Sequence, residues 1–501
     1  MRVNTFLCLL LILTACATPG QAMREPRALP EMPTEPPVET TAASAQPTEG
    51  PRVSSEALTE PVAQPTVTPV FETSALLALW NGNEHRYEIR LVDPATGRDV
   101  PGYTPIIVGK NTQFVAPHIL SADGKILAAI ESQGQSCEPS AGGTACRASA
   151  DVLHLVDLQT WREATATLSS GRGWIELFTF NPDTTRLALA YNEPKSSIVM
   201  LFDAVTGQLL GERSLDFRPS LMGHSPDGTA LVVYGQPLGA DPGISQPDPP
   251  RVLLLDAVTL EVMWDQPLPS ILSGEWCLEN CEASHEEQSF AYWRPAVVLS
   301  PDGRKLYIVH ADEEKLTTVD LQDRAVQSIE FREAQSWLES LLALTAGVAE
   351  AKGGLNGTTK EAALSPDGTR LYVLARTYTN GPWGVSLGLQ VVDVESGRKI
   401  AQQDSEGIAI KMTPDGAYLL LLNHTPDNRW WTDVLDAESL QPVAQLEDRD
   451  VMVTRRMNGQ PLFVAQTIPE RATRLAVLDP RSFDIVHSWA FNGYASWITN
   501  P

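Results

Sequence analysis

The stretch Leu364-Ser365-Pro366-Asp367-Gly368-Thr369-Arg370-Leu371-Tyr372-Val373 decides the fold of this chain. Pro presets φ, Asp favours a turn, and Gly accepts the left-handed backbone that other residues resist. The apolar, β-branched and aromatic residues on either side are strand formers. The phrase recurs as Ser225-Pro226-Asp227-Gly228, Ser300-Pro301-Asp302-Gly303 and Thr413-Pro414-Asp415-Gly416. Looser copies stand at Ser121-Ala122-Asp123-Gly124 and Asn181-Pro182-Asp183-Thr184, with a degenerate one at Asn458-Gly459.

A partner phrase alternates with it: an apolar run ending in Asp, then a short turn often closed by Thr/Ser-Gly, as in Val391-Val392-Asp393-Val394-Glu395-Ser396-Gly397. Its copies centre on Asp93, Asp157, Asp203, Asp256, Asp320, Asp393, Asp436 and Asp479, and the closest pair are 43 residues apart. That period is the length of a four-stranded propeller blade. Each unit reads as strand a, the Pro-Asp-Gly turn, strand b, a variable loop, strand c, the Asp turn and strand d. Eight Asp phrases predict an all-β propeller of eight four-stranded blades, with seven as the fallback. The first unit starts at strand b (Ala75 to Trp80), and the segment Tyr494 to Pro501 reads as a strand a cut off at its turn. The last strand is therefore expected to complete the first blade, leaving no edge open to pair.

The phrases Leu299 to Val309 and Leu364 to Val373 resemble bacterial YVTN-type and WD40-like β-propeller repeats, over about residues 72–501. The resemblance implies a fold and little chemistry, because propellers host many unrelated functions.

Ahead of the propeller, Arg2 and the apolar run Phe6 to Leu13 read as a signal peptide over 1–15. The run ends in Leu13-Thr14-Ala15-Cys16, which resembles a bacterial lipobox. That resemblance implies lipidation of Cys16; the alternative is an ordinary secretory signal. Residues 16–71 are rich in Pro, Thr, Glu, Ala and Gln and poor in aromatics, the composition of a disordered tether. Its flexible reach is roughly 40 Å. The expectation is an extracytoplasmic protein, anchored to the bacterial cell envelope and meeting the membrane through its lipid only. With 62 acidic against 37 basic side chains, the net charge is −25. Nucleic acid is excluded as a partner, since its affinity comes from Lys and Arg displacing counterions.

Four cysteines remain beyond Cys8 and Cys16. Cys137 and Cys146 share one loop, Cys277 and Cys281 another. An even count in an exported chain favours disulfides, most simply two local ones, although four cysteines allow three pairings. A metal site of Cys277, Cys281 and His285 is the rival, and it lacks a fourth ligand.

The a–b and c–d turns lie on one face and are uniformly short. The b–c loops 131–150, 236–250 and 377–387 and the d–a loops 266–293 and 331–361 lie on the other. Function concentrates on loops carried by a rigid scaffold, so this face is the expected binding face. Trp276, His285, Trp293, Trp337, Trp383 and Trp430 are its candidate contacts, each with a packing role as the plainer alternative. Between about 332 and 352, Leu338, Leu341, Leu342, Thr345 and Ala349 recur at helical spacing, predicting a short helix on the rim or over the channel.

No phosphate loop, Gly-x-Ser-x-Gly elbow or His-Glu-x-x-His pair is present. The repeated Asp residues are explained by their turns. Asp256 to Trp264 resembles a quinoprotein propeller repeat, but Leu260 replaces its Gly and no other copy ends in Trp. Lipid-anchored eight-bladed propellers that scaffold outer-membrane assembly share the anchor and fold alone. No metal or cofactor is expected, and no catalytic residue is assigned. The leading expectation is a binding or scaffold module for a protein, peptide or glycan. A lactonase-like hydrolase or lyase with a site at the channel mouth is the alternative.

Overall fold

The structure is a computed structural model that describes residues 72–498 apart from 82–85, 111–116, 132–134, 141–142, 149–150, 169–173, 193–195, 238–247, 280–288, 333–356, 378–384, 426, 469–473 and 492–494. The signal, the tether, Cys16 and the helical stretch expected within 332–352, except Arg332, lie outside the described residues.

The quoted stretch folds as read. Strand a of blade 6 (Gly357–Leu364) turns back into strand b (Arg370–Thr377). Ser365 Oγ donates to Asp367 Oδ1 (2.6 Å) and accepts the Arg370 amide (2.9 Å), while Asp367 Oδ1 accepts the Thr369 amide (3.0 Å). Gly368 closes the turn at φ +74, its amide on the Ser365 carbonyl. Strand c (Val385–Asp393) leads to the second turn, where Asp393 Oδ1 accepts both the amide (2.8 Å) and the hydroxyl of Ser396. Strand d (Lys399–Gln403) completes the blade.

The second turn departs from the sequence reading in one respect. Its left-handed position is Gly in blades 1, 3 and 6, but Trp161, Leu260, Arg324, Leu440 and Phe483 occupy it elsewhere, at φ between 55 and 59. Such a backbone costs roughly 1–2 kcal/mol for an L residue. Leu260, Leu440 and Phe483 are buried between blades, and that burial offsets the cost.

Eight such sheets follow one another. Blade 2 is His118–Leu120, Ile126–Glu131, Val152–Asp157 and Arg162–Thr167; blade 3 is Trp174–Phe180, Arg186–Asn192, Ser197–Asp203 and Leu209–Leu215. Blade 4 is Phe217–His224, Ala230–Pro237, Arg251–Asp256 and Val262–Pro267; blade 5 is Ala296–Leu299, Lys305–Val309, Lys315–Asp320 and Ala325–Glu330. Blade 7 is Gly407–Met412, Tyr418–His424, Trp430–Asp436 and Pro442–Glu447; blade 8 is Arg449–Arg455, Pro461–Thr467, Arg474–Leu478 and Ile485–Ala490. Strands b and c are apolar on both faces because each blade packs between two others, as Leu187 to Tyr191 do. Strand d alternates, since its outer edge meets water.

Blade 1 is made from both ends of the domain. Ala495–Trp497 pairs with Ala75–Asn81 in antiparallel register, Leu77 opposite Trp497, and Arg86–Asp93 follows as strand c. Its strand d is split into Arg98–Asp99 and Ile106–Lys110. The ring thus has eight blades and closes through the last strand, and the seven-bladed fallback is set aside.

Candidate binding face and axial wall

From blade 2 round to blade 7, the first strand of each blade touches the first strand of the next, so these strands surround the axis. Each runs from the long-loop face towards the short turns. Among the described residues the long-loop face carries two additions. In the b–c connection of blade 2, Gln135–Ser140 and Gly143–Ala148 form a separate hairpin with Cys137 directly opposite Cys146. The second addition is Gly274–Glu279 paired with Ser289–Arg294. This corrects the reading of 266–293 as a plain d–a loop: blade 4 continues through Pro267, and the insertion is a β-hairpin. Its second strand pairs in parallel with the start of blade 6, Tyr292 opposite Gly357 and Arg294 opposite Thr359, then runs through Pro295 into strand a of blade 5. The hairpin therefore stands on the innermost edge of blade 6. The insertion read at 331–361 likewise ends earlier, because strand a begins at Gly357.

The structure places three of the six candidate contacts. Trp276 lies opposite Ala291 in the hairpin, and Trp293, half-buried, lies on the other strand. Trp430 opens strand c of blade 7, where its ring meets His424 (centroids 4.1 Å apart) and its indole N–H donates to Asn428 (3.2 Å). His285, Trp337, Trp383 and Cys281 lie outside the described residues. Cys277 is opposite Phe290.

Residues that share no motif and no spacing meet at the axis. Glu361 on strand a of blade 6 lies within the electrostatic reach of Arg294 and of Lys411 on strand a of blade 7. Lys411 Nζ stands 3.6 Å from Asp450 Oδ1 on strand a of blade 8. Burial raises the pKa of both carboxyls above the usual range, against the pull of those cations. Arg294 and Lys411 are exposed, as is Tyr292 on the hairpin strand.

A second charged cluster bridges blades 5 and 6. Lys360 Nζ donates to the Glu313 carbonyl (2.7 Å), and Lys399 Nζ meets both oxygens of Glu314 (2.8 Å each). Burial pushes Lys360 down to about 8 and His310 down to about 4, while it raises the Asp312 carboxyl. Lys360 and Lys399 thereby hold loop 310–314 to blade 6. In blade 2, His154 is buried between Glu131 (3.1 Å) and Glu163. Among the described residues, no group of three or more His, Cys, Asp or Glu side chains is placed to hold a metal ion.

No protein-family model matches the chain, and no curated protein matches it in sequence. Among solved structures it is similar to the dihydro-heme d1 dehydrogenase NirN in complex with DHE, at 12% identity over 87% of this chain and 78% of that one, with a TM-score of 0.53. It is also similar to the Pseudomonas aeruginosa periplasmic gluconolactonase PpgL (14% identity, 85% and 100% covered, TM-score 0.39). BamB from Moraxella catarrhalis is a further likeness (11% identity, 74% and 91% covered, TM-score 0.38). At such identities the first likeness establishes a shared propeller fold, and the chemistry must be argued from this chain's own residues.

Proposed function

We propose that this chain is a lipid-anchored, extracytoplasmic propeller of the YVTN/WD40-like repeat type that binds a protein, peptide or glycan on its long-loop face. One observation carries the reading: the hairpin Gly274–Glu279/Ser289–Arg294 stands on the innermost strand of blade 6 and brings Tyr292, Trp293 and Arg294 to the axial charges. Aromatic and arginine side chains are the usual anchors of binding surfaces. Cys16 would anchor the chain, and residues 16–71 would hold the propeller off the membrane. The opposed positions of Cys137 and Cys146 suit a cross-strand disulfide, and Cys277 with Cys281 would close a second, local loop.

The test uses full-length protein in detergent, immobilised and exposed to peptide and glycan arrays and to envelope extract. Replacing 333–356 with a short Gly-Ser linker, and separately Tyr292 and Trp293 with Ala, should each release captured ligands. Retention of every ligand by both variants would sink the reading. Palmitate labelling that survives Cys16→Ser would remove the anchor. A second reading, a hydrolase at the channel mouth, is favoured by the raised carboxyls of Glu361 and Asp450 beside Lys411. It requires lactone or ester turnover that Glu361→Gln abolishes.

A further inference from the structure

We propose that Tyr292, Arg294, Glu361, Lys411 and Asp450 form a subsite for an acidic sugar, a uronate residue of a glycan. The inference rests on the binding reading and narrows it to one ligand class.

The register supplies the geometry. Arg294 is directly opposite Thr359, so Arg294, Thr359 and Glu361 project from one face of the six-stranded sheet, and Tyr292, two residues before Arg294, shares it. Lys411, within electrostatic reach of Glu361, and Asp450, 3.6 Å from Lys411, extend this wall to blades 7 and 8. The wall is thus continuous from the hairpin to blade 8, and no residue in it is needed for the apolar packing between blades.

Exposure and charge specify the ligand. The cations stand forward and the acids are recessed: the Lys411 side chain is 51% exposed and that of Asp450 16%. In a chain of net charge −25, two forward cations at the axis are a local exception. The acids lie behind the cations, so an incoming group meets Arg294 and Lys411 first. A carboxylate supplies those cations with acceptors for charge-assisted hydrogen bonds. Tyr292 at 44% exposure offers an aromatic face beside these groups. A pyranose ring carries an apolar C–H face for such a ring and hydroxyls that both donate and accept. The recessed acids and forward cations provide the matching acceptors and donors.

The experiment is calorimetric titration of the full-length protein with trigalacturonate, its methyl ester and cellotriose. Trigalacturonate should bind. The ester and the neutral trimer should bind at least about tenfold more weakly, because neither offers the cations a carboxylate for a charge-assisted hydrogen bond. Arg294→Ala and Lys411→Ala should each weaken binding about tenfold and flatten its salt dependence. Tyr292→Ala should weaken it about fivefold without changing that dependence. All three positions are exposed, so the variants should melt with the wild type. Equal affinity for acid and ester overturns the proposal, as does the absence of binding to both trigalacturonate and a mannuronate trimer. If uronates fail while an array ligand is still released by Tyr292→Ala, the sugar class falls and the binding reading stands.

Discussion

Trp497→Ala tests the joint on which the ring depends. Trp497 is 2% exposed, on the strand that completes blade 1, packed with Leu77, Leu475 and Val477 and edge-on to Trp489. Truncating a buried Trp costs about 3–5 kcal/mol. Its indole N–H is buried with no acceptor among the described residues, a penalty of about 1–3 kcal/mol that the variant relieves, so a loss near 3 kcal/mol is expected. A domain of about 430 residues unfolds with an entropy near 0.9 kcal/mol/K, which converts that loss into a fall in Tm of about 3–4 °C. Trp497→Phe keeps most of the ring and discards the orphaned N–H, and should stay within about 1 kcal/mol of wild type. Deleting residues 495–501 also removes buried Ile498, whose amide donates to the Leu76 carbonyl, and exposes the edge of Ala75–Asn81. It should lower Tm by roughly twice as much as Trp497→Ala. Calorimetric melts of the full-length protein decide the matter. A Trp497→Ala melt within about 1 °C of wild type, or a Phe variant as damaged as the Ala variant, refutes the closure energetics.

Other perturbations follow from the same geometry. Burial opposes a charge on His154, but Glu131 and Glu163 outweigh it and raise its pKa to about 9. The stability this adds is complete below pH 6.5 and lost as pH rises through 9; Glu163 is 40% exposed, so about 2 kcal/mol is expected. Urea midpoints at pH 6 and 8, below the range in which Lys360 discharges, should diverge in the wild type and converge in His154→Gln. Lys360, 8% exposed, is pushed down to about 8, so its contribution to stability should rise between pH 8 and 10.5 as the folded lysine sheds its proton first, opposite in sign to that of His154. In the His154→Gln background, Lys360→Met should abolish that rise and be no less stable at pH 7; a His154→Gln protein whose stability stays flat from pH 8 to 10.5 would contradict the assignment. Gly97 has φ +66 and lies flush against the Trp489 ring, whereas Gly124, at φ +71, has open space around it. Gly124→Ala should cost about 1 kcal/mol and Gly97→Ala about 3, measured by urea unfolding.

The blade count is legible in the sequence because a turn constrains a few adjacent residues. Ser300, Asp302 and Gly303 each have a partner within five residues, so their identities are set locally and recur. The same locality hides the turns closed by Leu260 and Phe483, where burial against a neighbouring blade outweighs a backbone preference. The hairpin at 274–294 reads as a loop because its parallel pairing to Gly357–Thr359 joins segments more than sixty residues apart. The axial wall leaves no motif at all. Arg294, Glu361, Lys411 and Asp450 come from a hairpin and three blades, and their proximity follows from ring closure, not from spacing. The tryptophans are visible by type, but type does not say whether a ring meets water or, like Trp430, lies against a histidine.

The repeat restricts where chemistry can reside. Strands b and c are spent on both faces in apolar contact, and the short turns are occupied by Asp and Ser serving the backbone. Strand a alone borders the axis with side chains the blade does not need. Its half-buried positions nearest the short turns differ around the ring: Leu177 and Phe178 in blade 3, Leu221 and Met222 in blade 4 and Val297 and Val298 in blade 5 are apolar, although blade 4 also carries Arg218 and Ser220 further up the strand. Blades 6, 7 and 8 supply Glu361, Lys411 and Asp450. A ring built from near-identical units has no structural need for that asymmetry, since apolar side chains serve on one side and ion pairs bring little stability at partly exposed positions. The added hairpin stands on blade 6, at the charged side, and contributes a further cation and an exposed tyrosine there. Charge placed off the symmetry of the fold, and extended by an insertion the fold does not require, is the pattern for which the proposed ligand site accounts.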